Sequence, residues 1–104
     1  MKTYKIIVTP EAKKQMRRHL AYIEKKLKNH QAAERVYQDF LEFSKKLEIT
    51  AASIKEPEHA ELLERGLKRK NFERHQYFML FTLSDDTVRI TNIFHFREDY
   101  IVKL

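Results

Sequence analysis

The chain has 104 residues, with 21 lysines and arginines against 15 aspartates and glutamates, a formal charge of +6, and no cysteine. The lack of cysteine excludes disulfides and thiolate-bound metal and suits a reducing compartment, and no apolar run approaches the roughly 20 residues of a membrane span. The length suits one domain over residues 1–104 with a single core. No secretory signal is legible at the start, so the cytoplasm is the expected location. A basic surface favours phosphate-rich or acidic partners, although with 35% of residues charged, much of the excess belongs to solvated helix faces.

Residues 2–8 alternate Tyr4, Ile6 and Val8 against Lys5 and Ile7, which predicts a short strand. Thr9-Pro10-Glu11 predicts a helix start: Thr9 caps, Pro10 takes the first helical position where its missing N–H costs nothing, and Glu11 suits the dipole. Ala12, Met16, Leu20, Ile23 and Leu27 then make one apolar stripe on a helix of about five turns. Lys13, Lys14, Arg17, Arg18, Lys25 and Lys26 occupy the rest of the circumference as a wet face. Asn29-His30 breaks the pattern, and Ala33, Val36, Tyr37, Phe40, Leu41, Ser44 and Leu47 set up a second stripe. So short a connection between two long helices predicts an antiparallel helical hairpin.

From Thr50 to Gly66 the periodicity fades. Ala60-Glu61-Leu62-Leu63 suggests a short helical turn, and Gly66, the only glycine, is the candidate left-handed cap. This segment is expected to cross the edge of the sheet. Residues 67–74 alternate weakly and carry Lys68, Arg69, Lys70 and Arg74, which predicts a strand at an edge or beside an anionic ligand. Residues 77–83 are apolar on both alternating sets, the pattern of a central strand covered on both faces. The polar turn Ser84-Asp85-Asp86 joins them to residues 87–95, where Val88, Ile90, Ile93 and Phe94 resume the apolar pattern of an antiparallel hairpin. The expected class is α+β in the order β-α-α-β-β-β. The first strand returns to a mainly antiparallel sheet, the helical hairpin packs on one face, and the other face is left for function.

Both this order and the residues resemble the RelE/ParE superfamily of bacterial type II toxins. YKIIVTPEAKKQMRRHLAYI is similar to that family's first strand and helix, and QAAERVYQDF to the start of its second helix. RKNFERHQYFMLFTLSDDTVRITNIFHFREDY resembles the closing strands, where a hydrophobic strand, an acidic turn and a final H-x-R-x-D-Y recur. The resemblance implies a toxin that arrests growth and is neutralised by a cognate antitoxin, with no cofactor. RelE-like members cleave mRNA on the ribosome, and ParE-like members inhibit DNA gyrase. Ribosome-dependent mRNA cleavage is the leading expectation, gyrase inhibition the alternative, and a basic RNA-binding domain without toxicity the third.

Metal-independent RNA cleavage needs a group to deprotonate the 2′-hydroxyl, a group to protonate the leaving oxygen, and cations for the charge on the phosphorane. Arg74, His95 and Tyr100 are the candidate catalytic residues, expected to lie close in space across the antiparallel pair, with His75 and Glu73 as further proton carriers. Lys68, Arg69, Lys70 and Arg97 are the candidates for nucleic-acid or target binding. Alternation sends the 68–70 run to both sheet faces. Against the nuclease, His95 is followed by Phe96 rather than tyrosine, and the H-x-R-x-D-Y tail is closer to the ParE-like branch. Arg97 and Asp99 are spaced for a surface ion pair contributing less than ~1 kcal/mol. His19, His30 and His59 have no metal-site spacing.

Overall fold

The computed structural model describes residues 2–104. β1 (Lys5–Val8) passes through Thr9 into α1 (Pro10–Lys25), and the Thr9 hydroxyl accepts the Ala12 N–H at 3.2 Å. Lys28, with a positive φ of 52°, helps turn the chain within four residues into α2 (His30–Thr50), whose start is capped by the Asn29 side chain accepting the Ala32 N–H. The two helices form as expected, but Leu27 lies beyond α1 and is exposed, and on α2 Tyr37 and Leu41 of the expected stripe are exposed while Phe43 is buried in their place.

After a 3-10 turn at Ala51–Ser53 comes α3 (Ala60–Glu64). Gly66 takes φ 68° just beyond it, the Gly66 N–H bonding to the Leu63 carbonyl and the Leu67 N–H to the Leu62 carbonyl. This paired closure satisfies carbonyls that the helix end leaves free, and it requires the left-handed residue that glycine supplies at low cost.

β2 (Lys68–Asn71), β3 (Tyr77–Ser84) and β4 (Thr87–His95) complete a sheet of order β1-β4-β3-β2. β1 pairs with β4 in parallel and the other pairs are antiparallel. β2 is indeed an edge strand, but it ends at Asn71, because residues 73–76 turn away as a bend. The two-residue turn between β3 and β4 places Asp85 at φ 54°, a conformation Asp tolerates better than most side chains.

The register slips once, between Leu80 and Phe81, leaving Thr91 on β4 as the extra residue. Its carbonyl and that of Ile90 meet Thr9, which donates its N–H to Ile90 and its hydroxyl to Thr91. The bulge therefore ties the end of β1 to β4 where their pairing stops.

On the helix face, Met16 and Ile23 from α1 and Val36, Phe40, Phe43 and Leu47 from α2 pack against Met79, Phe81, Val88, Ile90 and Ile93. Each large side chain so buried contributes about 1.5–3 kcal/mol relative to exposure. The second face differs from expectation. Phe78, Leu80 and Phe94 there are covered by Leu62 of α3, by Leu67, by Tyr100 and Ile101 of the closing 3-10 turn (Tyr100–Lys103), and by Leu104 just after it. The segment expected to cross an edge thus caps that face, because three adjacent large apolar side chains on β3 and β4 need a cover. Among the described residues, no helix is long and apolar enough to cross a membrane.

Candidate functional site

Two clefts hold the chemistry-bearing residues, one at each face of the β3–β4 pair. The first, of about 530 Å³, lies at the C-terminal end of β4 and is lined by His19, Tyr22, Tyr77, His95, Arg97 and Glu98 among others. Tyr77 and His95 are register partners on the helix face, with rings edge to face at 4.9 Å, and His19 meets Tyr77 from the other side at 5.0 Å. The chain reverses after β4, and Glu98 folds back to accept the His95 N–H at 2.9 Å.

The hydrogen bonds define the tautomers. His95 Nδ1 accepts the Arg97 N–H at 3.0 Å, so in its neutral form its Nε2–H is a donor. His19 Nε2 donates to the Ile93 carbonyl at 2.9 Å and lies 3.5 Å from Glu98 Oε1, leaving its Nδ1 an acceptor. Burial lowers the His19 pKa, opposed by the Ile93 carbonyl and Glu98, so the ring is neutral at physiological pH. Burial alone would raise Glu98, but the His95 N–H, the Lys103 ammonium and His19 together hold it low. Burial, and then the Glu98 charge, raise Tyr77. The cleft thus combines a carboxylate, a hydrogen-bond donor, an acceptor and two phenols.

The second cleft, of about 460 Å³, lies beside β2 between the 55–59 segment and Arg69, Lys70, Asn71 and Tyr100. Arg69 stacks its guanidinium over Phe78 at 3.8 Å, with Phe96 and Tyr100 at 5.7 and 5.6 Å, and its Nε donates to Asn71 at 3.1 Å. Tyr100 packs edge to face on Phe78 at 5.0 Å and also touches Phe94. A cation on several aromatic faces is held in place with its remaining donors outward.

The expected grouping of Arg74 with His95 and Tyr100 does not form. His95 belongs to the helix face and Tyr100 to the opposite one, because their partners Tyr77 and Phe78 are adjacent on one strand and point oppositely. Arg74 is drawn to α2: its N–H donates to buried Asp39 and its guanidinium pairs with Glu42, both at 3.0 Å. His75 also donates to Asp39, at 2.8 Å, and Glu73 pairs with Lys46.

The 68–70 run divides as its alternation predicts. Lys68 turns to the helix side, where its ammonium donates to the Ile54 carbonyl at 2.9 Å, and Lys70 lies over Phe43. Arg69 alone of the three stacks with Phe78 and Tyr100 on the opposite face, although Lys70 also borders the second cleft. Among the described residues, the ion pairs do not include Arg97 with Asp99.

His19, Tyr77 and Glu98 are not among the candidate site residues read from the sequence. The legible signal was Gln15 and His19, polar residues one helical turn apart beside the apolar stripe of α1. Gln15 Oε1 accepts the Ile93 N–H at 2.7 Å while His19 takes the carbonyl of the same residue. No group of three or more His, Asp or Glu among the described residues could hold a metal ion.

This architecture, a helical hairpin on a mixed sheet with a parallel N-terminal edge strand, is a ParE-like α+β fold. A solved chain of the chromosomal ParDE TA system from P. aeruginosa has it too, with a TM-score of 0.73 and 18% identity over 89% of this chain and 96% of that chain. No protein-family model matches the sequence, and no curated protein matches it.

Proposed function

We propose that this chain is the toxin of a type II toxin–antitoxin pair, neutralised by a cognate antitoxin in the cytoplasm, and that it acts as a binding inhibitor of DNA gyrase. The toxin reading is supported by the fold shared with the ParDE chain along nearly its whole length. The mode of action rests on one observation: His95 and Tyr100 stand on opposite faces and Arg74 is engaged by α2. Base, acid and phosphate-binding cation must converge on one scissile bond, whereas a binder needs only a complementary surface. Arg69 with Tyr100, and Arg97 beside His95, are then contact residues for the target or the antitoxin.

The ribosome-dependent nuclease is the second reading, favoured by the cleft of His19, Tyr77, His95 and Glu98 with Arg97 at its rim. There His95 acts through Nε2–H as a donor to the leaving oxygen, since Nδ1 is occupied.

The deciding experiment is induced expression in a bacterial host without antitoxin, sampling ribosomal mRNA and plasmid supercoiling together. Growth arrest with intact mRNA, altered supercoiling and undiminished killing by His95→Ala is the expected result. Codon-phased mRNA cuts abolished by His95→Ala establish the nuclease instead. Absence of arrest from folded protein leaves the RNA-binding domain. Growth restored by co-expressing a candidate antitoxin identifies that protein as the cognate partner.

A further inference from the structure

The positive charge of this protein is concentrated on α1 and the turn that follows it. Between Pro10 and Lys28 there are seven lysines and arginines against Glu11 and Glu24, which accounts for five of the chain's six net positive charges. Among the described residues none of these seven cations is in an ion pair, and all are exposed. The cations of the β2 region are engaged: Lys68 by Ile54, Arg69 by Phe78, Lys70 by Phe43 and Arg74 by Glu42.

Lys14, Arg18 and Lys25 follow one another at i, i+4 and i+11, along a line opposite the buried Ala12, Met16 and Ile23. At 1.5 Å per residue the line runs roughly 16 Å, with Lys13 and Arg17 beside it. Unpaired like charges on one rigid face repel one another, and phosphates relieve that repulsion while releasing counterions.

We propose that the outer face of α1 binds the phosphate backbone of duplex DNA. Two features favour a duplex over a single strand. The charges are fixed on a helix, and the one exposed aromatic of α1, Tyr22, lies off their line, beside the cleft shared with His19, so the line itself carries no aromatic on which unpaired bases would stack. B-form DNA is favoured over duplex RNA because its major groove, about 12 Å wide, admits a helix whereas the A-form groove is deep and narrow. The contact is sequence-independent, since these side chains meet phosphates rather than base edges. It stands apart from the mode of toxicity, because it needs neither gyrase nor the ribosome.

The test is fluorescence anisotropy of the full chain with a labelled 20-base-pair DNA over a series of salt concentrations, with duplex RNA and single-stranded RNA in parallel. Lys14→Glu, Arg18→Glu and Lys25→Glu together should weaken DNA binding more than about tenfold and reduce the salt slope by about three. A control of equal charge change, Lys5→Glu, Arg35→Glu and Lys45→Glu, should lose far less. The corresponding triple glutamine variant, with thermal melting of every variant, covers the case in which the glutamates disturb folding. Equal losses in stripe and control, or tighter binding of either RNA than of DNA, would overturn the proposal.

Discussion

Gln15 on α1 and Ile93 on β4 are joined by a 2.7 Å hydrogen bond between the side-chain oxygen and the peptide N–H, with Gln15 only 3% exposed. β1 pairs with β4 only as far as Ile90, so Ile93, paired with Met79 of β3 on one side, has no strand on the other. Gln15 and His19 take the place of that strand for one peptide unit. Gln15→Leu keeps the bulk but leaves a buried N–H without a partner, at a cost of about 1–3 kcal/mol. In a domain of this size the melting temperature should fall by roughly 4–8 °C per kcal/mol. A melt unchanged from wild type would mean that water reaches the Ile93 N–H.

Asp39 fixes the bend that follows β2. It is 2% exposed and accepts both the Arg74 N–H and the His75 ring N–H. Asp39→Ala should cost about 2–4 kcal/mol by urea titration, since two donors lose a buried carboxylate. A double-mutant cycle with His75→Ala should show coupling, because the two residues share one hydrogen bond. Simple additivity would assign the bend's stability elsewhere.

His19 makes stability depend on pH in a stated direction. Burial lowers its folded-state pKa below the ordinary value of 6.5, so the unfolded chain takes up the proton first. Its contribution is present above about pH 6.5 and is lost as pH falls through the folded value. His30, raised by Glu24 and Glu34 on the surface, works in the opposite sense over the adjoining range. Glu98, held low, adds a further loss in more acidic solution. His19→Gln removes the titration while its amide can still donate to the Ile93 carbonyl. Unfolding free energies should therefore fall less in the variant as pH drops below about 6.5, and an unchanged profile there would rule out His19 as the titrating group.

Gly66 offers a separation of backbone from packing. A Cβ at this position would meet nothing within 4 Å, so a substitution there acts through its φ of 68° alone. Gly66→Ala should cost about 1 kcal/mol and Gly66→Asn less, since asparagine tolerates this region better. Equal melting temperatures for both would show that the turn adjusts.

Much of the scaffold was legible because its signals are local. Thr9-Pro10 fixes a helix start through capping and a permitted missing N–H, and Gly66 marks a helix end through its φ. Two-sided apolarity in residues 77–83 identified a central strand, and the acidic turn gave the hairpin. The extent of β2 was overdrawn because alternation in a charged stretch carries no record of where pairing stops.

The candidate site was legible only in pieces. His95 and Arg97 were read from residue type, and they do stand together at the end of β4. His19, which lines the same cleft, is more than seventy positions away and reaches Tyr77 and Glu98 only when α1 is laid across β4. The separation of His95 from Tyr100 depends on which face each neighbour takes, and on the closing turn folding over Phe78 and Phe94. The sequence by itself determined where helices and strands begin and which side chains seek burial, because capping, φ limits and hydrophobic period act over a few residues. Only the tertiary structure decided which polar groups became partners, because hydrogen bonds and charge pairs are satisfied by proximity in space.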